Sequence, residues 1–199
     1  MPATRIEAAS AVPWADVEHA LTGGGDGATC WCQWFLVTRK EFGAHTRDEQ
    51  RGMLRQELAD AETSPGLIAY VDDSPAAWVR IGPRTSQPTL ARSRIVKGSA
   101  EPIDDDDVWA ITCFVVRREH RREGLATELT AAAVDHAAKH GARVVEAYPI
   151  DTDQRKAGNN ELFVGSVRLF RDAGFDEVAR PSGARVVMAL DVSRRRRAP

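Results

Sequence analysis

The chain of 199 residues is 43% apolar and 28% charged, with a formal net charge of -2. That composition excludes a disordered segment, which would be less hydrophobic, and there is no uncharged apolar run of the length a membrane span needs. The small net charge excludes the broad basic field that nonspecific nucleic-acid binding requires, and three cysteines, an odd number, do not make a disulfide framework.

The first ten residues carry Arg5 but no apolar stretch behind it, and Glu7 interrupts the short run after Ile6. No secretory signal is predicted, and the expected location is the cytoplasm. A helix is predicted near residues 14–21, then a flexible connector at Gly23-Gly24-Gly25-Asp26-Gly27. The aromatic segment Cys30-Trp31-Cys32-Gln33-Trp34-Phe35-Leu36 has no legible state. Cys30 and Cys32 are soft donors with His19 and His45 near in sequence, but a structural zinc site uses wider cysteine spacing and four clear ligands, so no metal is expected. Trp31, Trp34, Phe35 and Trp78 have two readings, as lining of a pocket that holds a cation or as core. Thr46-Arg47-Asp48-Glu49 has the form of a capping box, and Leu54, Leu58 and Ala61 follow at helical spacing, so a second helix starts near Thr46. Ser64-Pro65-Gly66 stops it.

Two apolar runs, 67–71 and 76–81, flank Asp72-Asp73-Ser74-Pro75, which has the spacing and chemistry of a hairpin turn. Residues 82–107 are polar and carry Pro83, Pro88 and Pro102, which predicts a functional loop or a mobile cover. The acidic run 104–107 is read as a solvated loop or as a local field that draws a cationic amine.

Regular structure resumes with a buried strand at 108–116, a helix at 125–140 with Leu125, Leu129, Ala132, Ala133 and Ala137 on one face, and a strand at 142–148. Gly141 ends the helix. Strand, helix and strand make a crossover unit whose strands are parallel. A short helix at 166–173, stopped by Gly174, precedes a second hairpin of 175–180 and 185–190. The whole is an α/β chain with a mixed sheet and flanking helices. It is read as one domain over 1–192, with helices in 1–65 on the acceptor side, a core over 66–190 and a basic flexible tail over 193–199. The tail's Arg194 to Arg197 lack interleaved aromatics, so they are read as solvated and no nucleic-acid partner is expected.

The chemistry concentrates at Arg121-Arg122-Glu123-Gly124-Leu125-Ala126, between the long strand and the long helix. The first four amide hydrogens of a helix have no internal partner, and the helix dipole adds about half a positive charge there. Arg117, Arg118, Arg121 and Arg122 add full charges, while Gly124 and Ala126 leave room for a pyrophosphate to approach the backbone. No Gly-Lys-Ser/Thr follows a glycine at P-loop spacing, which argues against a nucleoside triphosphate site.

These residues resemble the signature of the GNAT superfamily of N-acetyltransferases, Arg/Gln-x-x-Gly-x-Gly/Ala, in which Arg121, Gly124 and Ala126 fill the defined positions and Val116 stands five residues before the arginine. Leu169-Phe170-Arg171-Asp172-Ala173-Gly174-Phe175 is similar to that family's Leu-Tyr-x-x-x-Gly-Phe segment. The resemblance covers about residues 66–190. It implies an acetyl-CoA-dependent N-acetyltransferase in which strands 108–116 and 142–148 splay around the cofactor. Contacts would come from Phe114, Val115 and Val116, from Arg121, Arg122, Glu123, Gly124, Leu125, Ala126 and Thr127, and from Phe170. Many proteins of this resemblance are dimers, so a homodimer is an association it brings. Where the family usually has an acid tyrosine, this chain has Phe170.

An alkyl ammonium with a pKa of about 10 must lose its proton before it attacks a thioester. Glu146 is the candidate base and Tyr148 the candidate acid, since two residues apart on a strand they face the same way. The other reading of Glu146 is a carboxylate that meets solvent or an arginine such as Arg143. Cys113, on the cofactor strand, is read as a small buried hydrophobe because no histidine partner is legible. The functional reading is acetyl transfer to a primary amine by direct attack in a ternary complex. The alternative is a catalytically silent acyl-CoA-binding or sensing module. The acceptor amine is not identified by any motif.

Overall fold

The computed structural model describes residues 4–24, 27–158 and 160–193; Gly25, Asp26 and residues 194–199 of the predicted tail lie outside them. Seven strands form one mixed sheet in the order β1-β2-β3-β4-β5-β7-β6. They are β1 (Thr4–Ala8), β2 (Gly66–Val71), β3 (Ser74–Pro83), β4 (Val108–Val116), β5 (Val144–Ala147), β6 (Asp176–Ser182) and β7 (Arg185–Asp191). The helices are α1 (Trp14–Thr22), α2 (Gly27–Cys30), α3 (Arg39–Ala44), α4 (Arg47–Asp60), α5 (Pro88–Ala91), α6 (Leu125–Lys139) and α7 (Val167–Asp172). No described helix is long and apolar enough to cross a membrane.

Local chemistry accounts for most boundaries. In the α4 capping box, Thr46 Oγ1 accepts from the Glu49 amide at 3.2 Å while Glu49 Oε2 accepts from the Thr46 amide at 2.6 Å. The β2–β3 turn is shorter than the four residues predicted. Only Asp72 and Asp73 lie outside the strands, at φ +47° and +64°, the left-handed pair of a two-residue hairpin turn, which aspartate tolerates better than most residues. Pro75 is already in β3, opposite Tyr70 at a register shift, where its missing N–H is tolerated.

Alternation along β2 and β3 sends side chains to two layers. On one face α6 buries Leu125, Leu129, Ala133 and Ala137 against Val79, Ile81, Ile111 and Val145, and α7 adds Phe170. Truncating a fully buried residue of this layer, such as Leu129, costs about 2–5 kcal/mol. On the other face α1 and α4 deliver Val17, Leu21, Leu54 and Leu58 to Ile68, Tyr70 and Trp78. Residues 82–107 do not form the predicted mobile cover. They fold into short turns and α5, and bury Leu90 and Val96 with Tyr148 and Val187 on the second face.

β4 and β5 pair in parallel, and they separate early. Their register runs from Val108↔Val144 to Ile111↔Ala147. Past that point the β3–β4 register shifts between Arg80 and Ile81, so Thr112 is an extra residue in β4. A bulge bends its strand and increases the local twist, and β4 turns away from β5 there. Residues 112–116 of β4 therefore keep β3 on one side and lack a β5 partner on the other. Across the gap the chain after β5 continues to Ile150, which bridges Ser166 and Arg185.

Candidate functional site

The open edge of β4 carries defined hydrogen-bonding groups. The Arg117 amide donates to Ala76 on the β3 side at 3.0 Å, and Ala77↔Val116 and Val79↔Phe114 are paired positions. Amide and carbonyl directions alternate along an antiparallel pair, so the polar groups of Phe114 and Val116 point away from β3, into the gap. Arg121 Nε already uses the Val116 carbonyl at 3.3 Å, which ties the turn after β4 to the strand.

That turn adopts left-handed backbone at two places, Arg122 at φ +70° and Gly124 at φ +89°. A side chain at Gly124 would be strained by conformation rather than by contact, since a Cβ built there meets nothing within 4 Å. No side chain caps α6. Thr127 and Glu128 donate to the Gly124 carbonyl at 2.9 and 3.2 Å, so the Leu125 and Ala126 amides are the ones left without an intrahelical acceptor. The loop after α1 packs over this turn. A Cβ on Gly24 would come within 2.8 Å of Arg118, and one on Gly23 within 2.2 Å of Arg117.

Strand edge, turn and α2 enclose a cavity of about 700 Å³. Of the predicted cofactor residues, Phe114, Val115, Val116, Arg121 and Ala126 line it. Arg122, Glu123, Gly124 and Thr127 form the turn and helix start beside it without lining it. Leu125 is buried in the α6 layer, and Glu123 meets His120 at 3.1 Å. Phe170 is not at the cavity: it is fully buried, 6.1 Å from Phe114 and 5.2 Å from Phe175 between ring centroids. Its aromatic ring fills the layer under α6, as the rest of that hydrophobic segment does, and lies behind Phe114 and Gly165, which line the cavity.

The proposed acid and base are also elsewhere. Glu146 and Tyr148 share a face, but it is an interior one, and neither lines the cavity. Glu146 is 0% exposed; its carboxylate accepts from Arg84 at 2.7 Å, from Tyr148 Oη at 2.5 Å and from Ser99 Oγ. Arg84, also 0% exposed, donates further to the carbonyls of Glu101 and Pro102. Burial and the adjacent carboxylate hold the Tyr148 hydroxyl well above its ordinary pKa, so it stays a donor to Glu146. Both oxygens of Glu146 are engaged inside the protein, an arrangement that supports the structural reading of this carboxylate over the catalytic one. The partner is Arg84, 62 residues upstream, not Arg143, which binds Glu101 and Asp105 at 2.6 Å each. Asp106 is likewise occupied, accepting from Thr85, so this acidic run holds its own loop rather than facing the cavity.

The acceptor-side aromatics divide. Trp34 lines the cavity, with Phe42 edge-on at 5.0 Å, whereas Trp31 and Trp78 are core and Phe35 is buried beside Phe163. Cys30 and Cys113 line the cavity, and neither is in a disulfide. Hydrogen bonding to Cys32, with burial, holds the Cys113 thiol well above its ordinary value, which disfavours the thiolate a nucleophile needs. Among the described residues no group of His, Cys, Asp and Glu assembles as metal ligands. Phe42, Leu162, Phe163, Gly165 and Arg185 also line the cavity, and no motif in the sequence marks them. For Gly165, at φ +80° and with a Cβ that would strike Phe170 at 2.7 Å, the available signal is a glycine just before a helix cap. Arg185 offers none, being one arginine among many.

An exposed strand edge that runs into an amide-bearing, arginine-flanked turn fits a long ligand with amide groups along its length and an anionic end. The model of the acetyltransferase (GNAT) family matches residues 30–175. No curated protein sequence matches the chain. Among solved structures, an N-acetyltransferase from Staphylococcus aureus Mu50 is similar at 14% identity and TM-score 0.57, covering 96% of this chain and 99% of that one. The PaiA N-acetyltransferase from Thermoplasma acidophilum, in complex with coenzyme A, is similar at 11% identity and TM-score 0.56, with coverage of 95% and 99%. YncA from Salmonella typhimurium, solved with its cofactor acetyl-CoA, is similar at 16% identity and TM-score 0.54, with coverage of 96% and 95%.

Proposed function

Because the chain belongs to the acetyltransferase (GNAT) family, we propose that it is an acetyl-CoA-dependent N-acetyltransferase that acts on a primary amine in a ternary complex. The observation that carries this reading is the unpartnered edge of β4 at 112–116, opened by the Thr112 bulge and leading to the turn at 121–124. Acetyl-CoA as co-substrate supplies an acyl thioester for direct attack by the amine.

Phe114 and Val116 offer backbone groups to the pantetheine arm, and an amide of this strand is aimed to polarise the thioester carbonyl. Arg121, the Leu125 and Ala126 amides and the α6 dipole hold the pyrophosphate. The aromatic side chains of Trp34, Phe42 and Phe163 make part of the lining apolar and keep water from it. No Asp or Glu is among the described residues that line the cavity, so the ammonium proton passes to water rather than to a side chain. With Phe170 in the core, the thiolate leaves without a tyrosine donor, which a thiol of pKa about 8.5 allows.

A second reading, a silent acyl-CoA-binding module, is favoured by that same lack of an acid and a base in the cavity. Release of free thiol from acetyl-CoA in the presence of an amine panel separates the two. Turnover of any amine above the hydrolytic background supports the transferase, and CoA-dependent thermal stabilisation without turnover supports the module. Absence of stabilisation by millimolar CoA removes both.

A further inference from the structure

The cavity contains a charged side chain that neither cofactor binding nor acetyl transfer uses. Arg185 lines it, donates through Nη1 to the Tyr148 carbonyl at 2.9 Å, and forms no ion pair among the described residues. Its charged neighbours compensate it only in part. Arg155 repels it, and Glu161, which attracts it, is held by Arg155 at 2.7 Å and by the Gly158 amide at 3.0 Å. Burial first, and then Arg155, lower its pKa, yet a guanidinium stays charged at any working pH. A half-buried cation without a counterion is costly unless an anion joins it.

The position of Arg185 shows which end of the cavity it serves. It bridges Ile150, three residues beyond Ala147, the last residue of β5 paired with β4. Cys113, also at the cavity, stands two residues beyond Ile111, the other half of that last pair. Arg185 thus flanks the start of the opening, where β4 and β5 part, whereas the turn at 121–124 lies past the end of β4. It is at the acyl end, not the pyrophosphate end. The cavity as a whole is lined by Trp34, Phe42, Leu162 and Phe163 and, among the described residues, by no carboxylate; Glu161, which attracts Arg185, is engaged by Arg155. A polycationic amine would find no counter-charge there, and an uncharged one would leave Arg185 unpaired. A mainly apolar pocket with one directional charge is how small-molecule sites fix orientation.

We infer that the acceptor is an amino carboxylate with an apolar body, of the apolar amino acid class, whose carboxylate pairs with Arg185 and whose side chain lies against Trp34, Phe42 and Phe163. Arg185 is then a specificity-determining residue. Its planar fork suits two-point binding of a carboxylate. The inference rests on the transferase reading for the word acceptor, but the anion site can be tested apart from turnover.

The test uses the CoA-saturated protein and two product analogues, N-acetyl-leucine and N-acetyl-leucinamide, titrated by calorimetry. Using products removes the difference in amine pKa that would bias a rate comparison of leucine with leucinamide. The acid is expected to bind at least tenfold tighter than the amide, and Arg185→Gln, checked for folding by its melting curve, is expected to abolish the difference while CoA affinity is unchanged. Equal binding of acid and amide, or failure of both to bind, overturns the inference. So does a preference that survives in Arg185→Gln, or a loss of CoA affinity in that variant, which would place Arg185 on the cofactor. Thiol release is measured in parallel with leucine, leucinamide and spermidine. Faster turnover of spermidine than of leucine overturns the substrate class and keeps the transferase. Arg185-dependent acid binding without turnover of any amine upholds the anion site and sinks the transferase.

Discussion

Replacing Glu146 with glutamine distinguishes a catalytic carboxylate from a structural one. Both Glu146 and Arg84 are fully buried and 2.7 Å apart, and the carboxylate also accepts from Tyr148 and Ser99. Glutamine has nearly the same shape but presents an amide donor to a cluster made of donors, and leaves the Arg84 charge uncompensated. Breaking a buried pair on one side costs about 3–5 kcal/mol. For a domain of this size each kcal/mol moves Tm by about 2–4 °C, so the expected fall is about 6–20 °C. Replacing both partners by apolar residues, as in Arg84→Met with Glu146→Leu, is expected to recover part of the loss, because no lone charge remains buried. Circular dichroism melts give Tm, and thiol release at saturating acetyl-CoA from pH 6 to 9 gives the rate profile. The structural account predicts a large fall in Tm and, for the fraction still folded, a rate profile of unchanged shape. A Tm within about 2 °C of wild type, together with a lowered kcat most marked at low pH, would refute it and return Glu146 to catalysis.

Gly124→Val is expected to lower CoA affinity at least tenfold, measured by calorimetry on folded protein. Gly124→Ala does not separate bulk from strain, because φ is +89° and any Cβ is strained there; Gly124→Asn is the better companion, since asparagine tolerates this backbone region, and wild-type affinity in both variants would displace the pyrophosphate from the turn. With no carboxylate among the described residues that line the cavity, kcat/KM is expected to rise about tenfold per pH unit up to the pKa of the acceptor amine; a plateau well below that pKa would reveal a protein base. Burial, then His140 and Lys139, lower the pKa of His136, against a hydrogen bond to the Ser64 carbonyl that raises it. Its native pKa is therefore below that of the unfolded chain, about 6.5, and the stability it contributes is present above that pH and declines as pH falls through the native pKa. Tm is expected to drop less between pH 7 and pH 5 in His136→Gln than in wild type, and an equal drop would locate the acid sensitivity elsewhere.

Legibility tracks how local the determining physics is. The β2–β3 hairpin, the capping box at Thr46 and the glycines at 124 and 141 each act within a few residues; the cap and the two glycines produce the helix boundaries they predict, and the hairpin forms with a turn two residues shorter. Thr38 and Glu41 form an equal capping box at the start of α3, a signal as explicit in the sequence as the one at Thr46. β1 is not readable, because Thr-Arg-Ile-Glu-Ala is short and mixed and becomes a strand only by pairing with β2. The polarity of 82–107 hides its burial, since Arg84 is buried with partners that a sequence cannot pair with it. The same blindness to long-range partners misdirects Glu146: alternation correctly puts it on a face with Tyr148, but which face meets the cavity depends on Arg84. Arg185 is invisible for a related reason, as the value of that cation lies in the counterions it lacks.

The parting of β4 from β5 bears on how the protein coexists with other proteins. A row of unused backbone donors and acceptors is the feature on which strands of foreign chains nucleate aggregates. The two outer edges of this sheet are blunted. β1 is five residues long and carries Arg5 and Glu7, and β6 carries Asp176, Glu177, Arg180 and Pro181 and twice slips register against β7. The third edge, at 112–116, is mainly apolar, with the Arg121 guanidinium only at its end on the Val116 carbonyl, and it faces inward across a slot walled by the chain after β5. A foreign strand would need free space on both of its faces and both of its flanks, whereas a thread without side chains needs only the slot. Stickiness is thus sorted by cross-section: the protein keeps its most adhesive backbone where only a narrow guest can touch it.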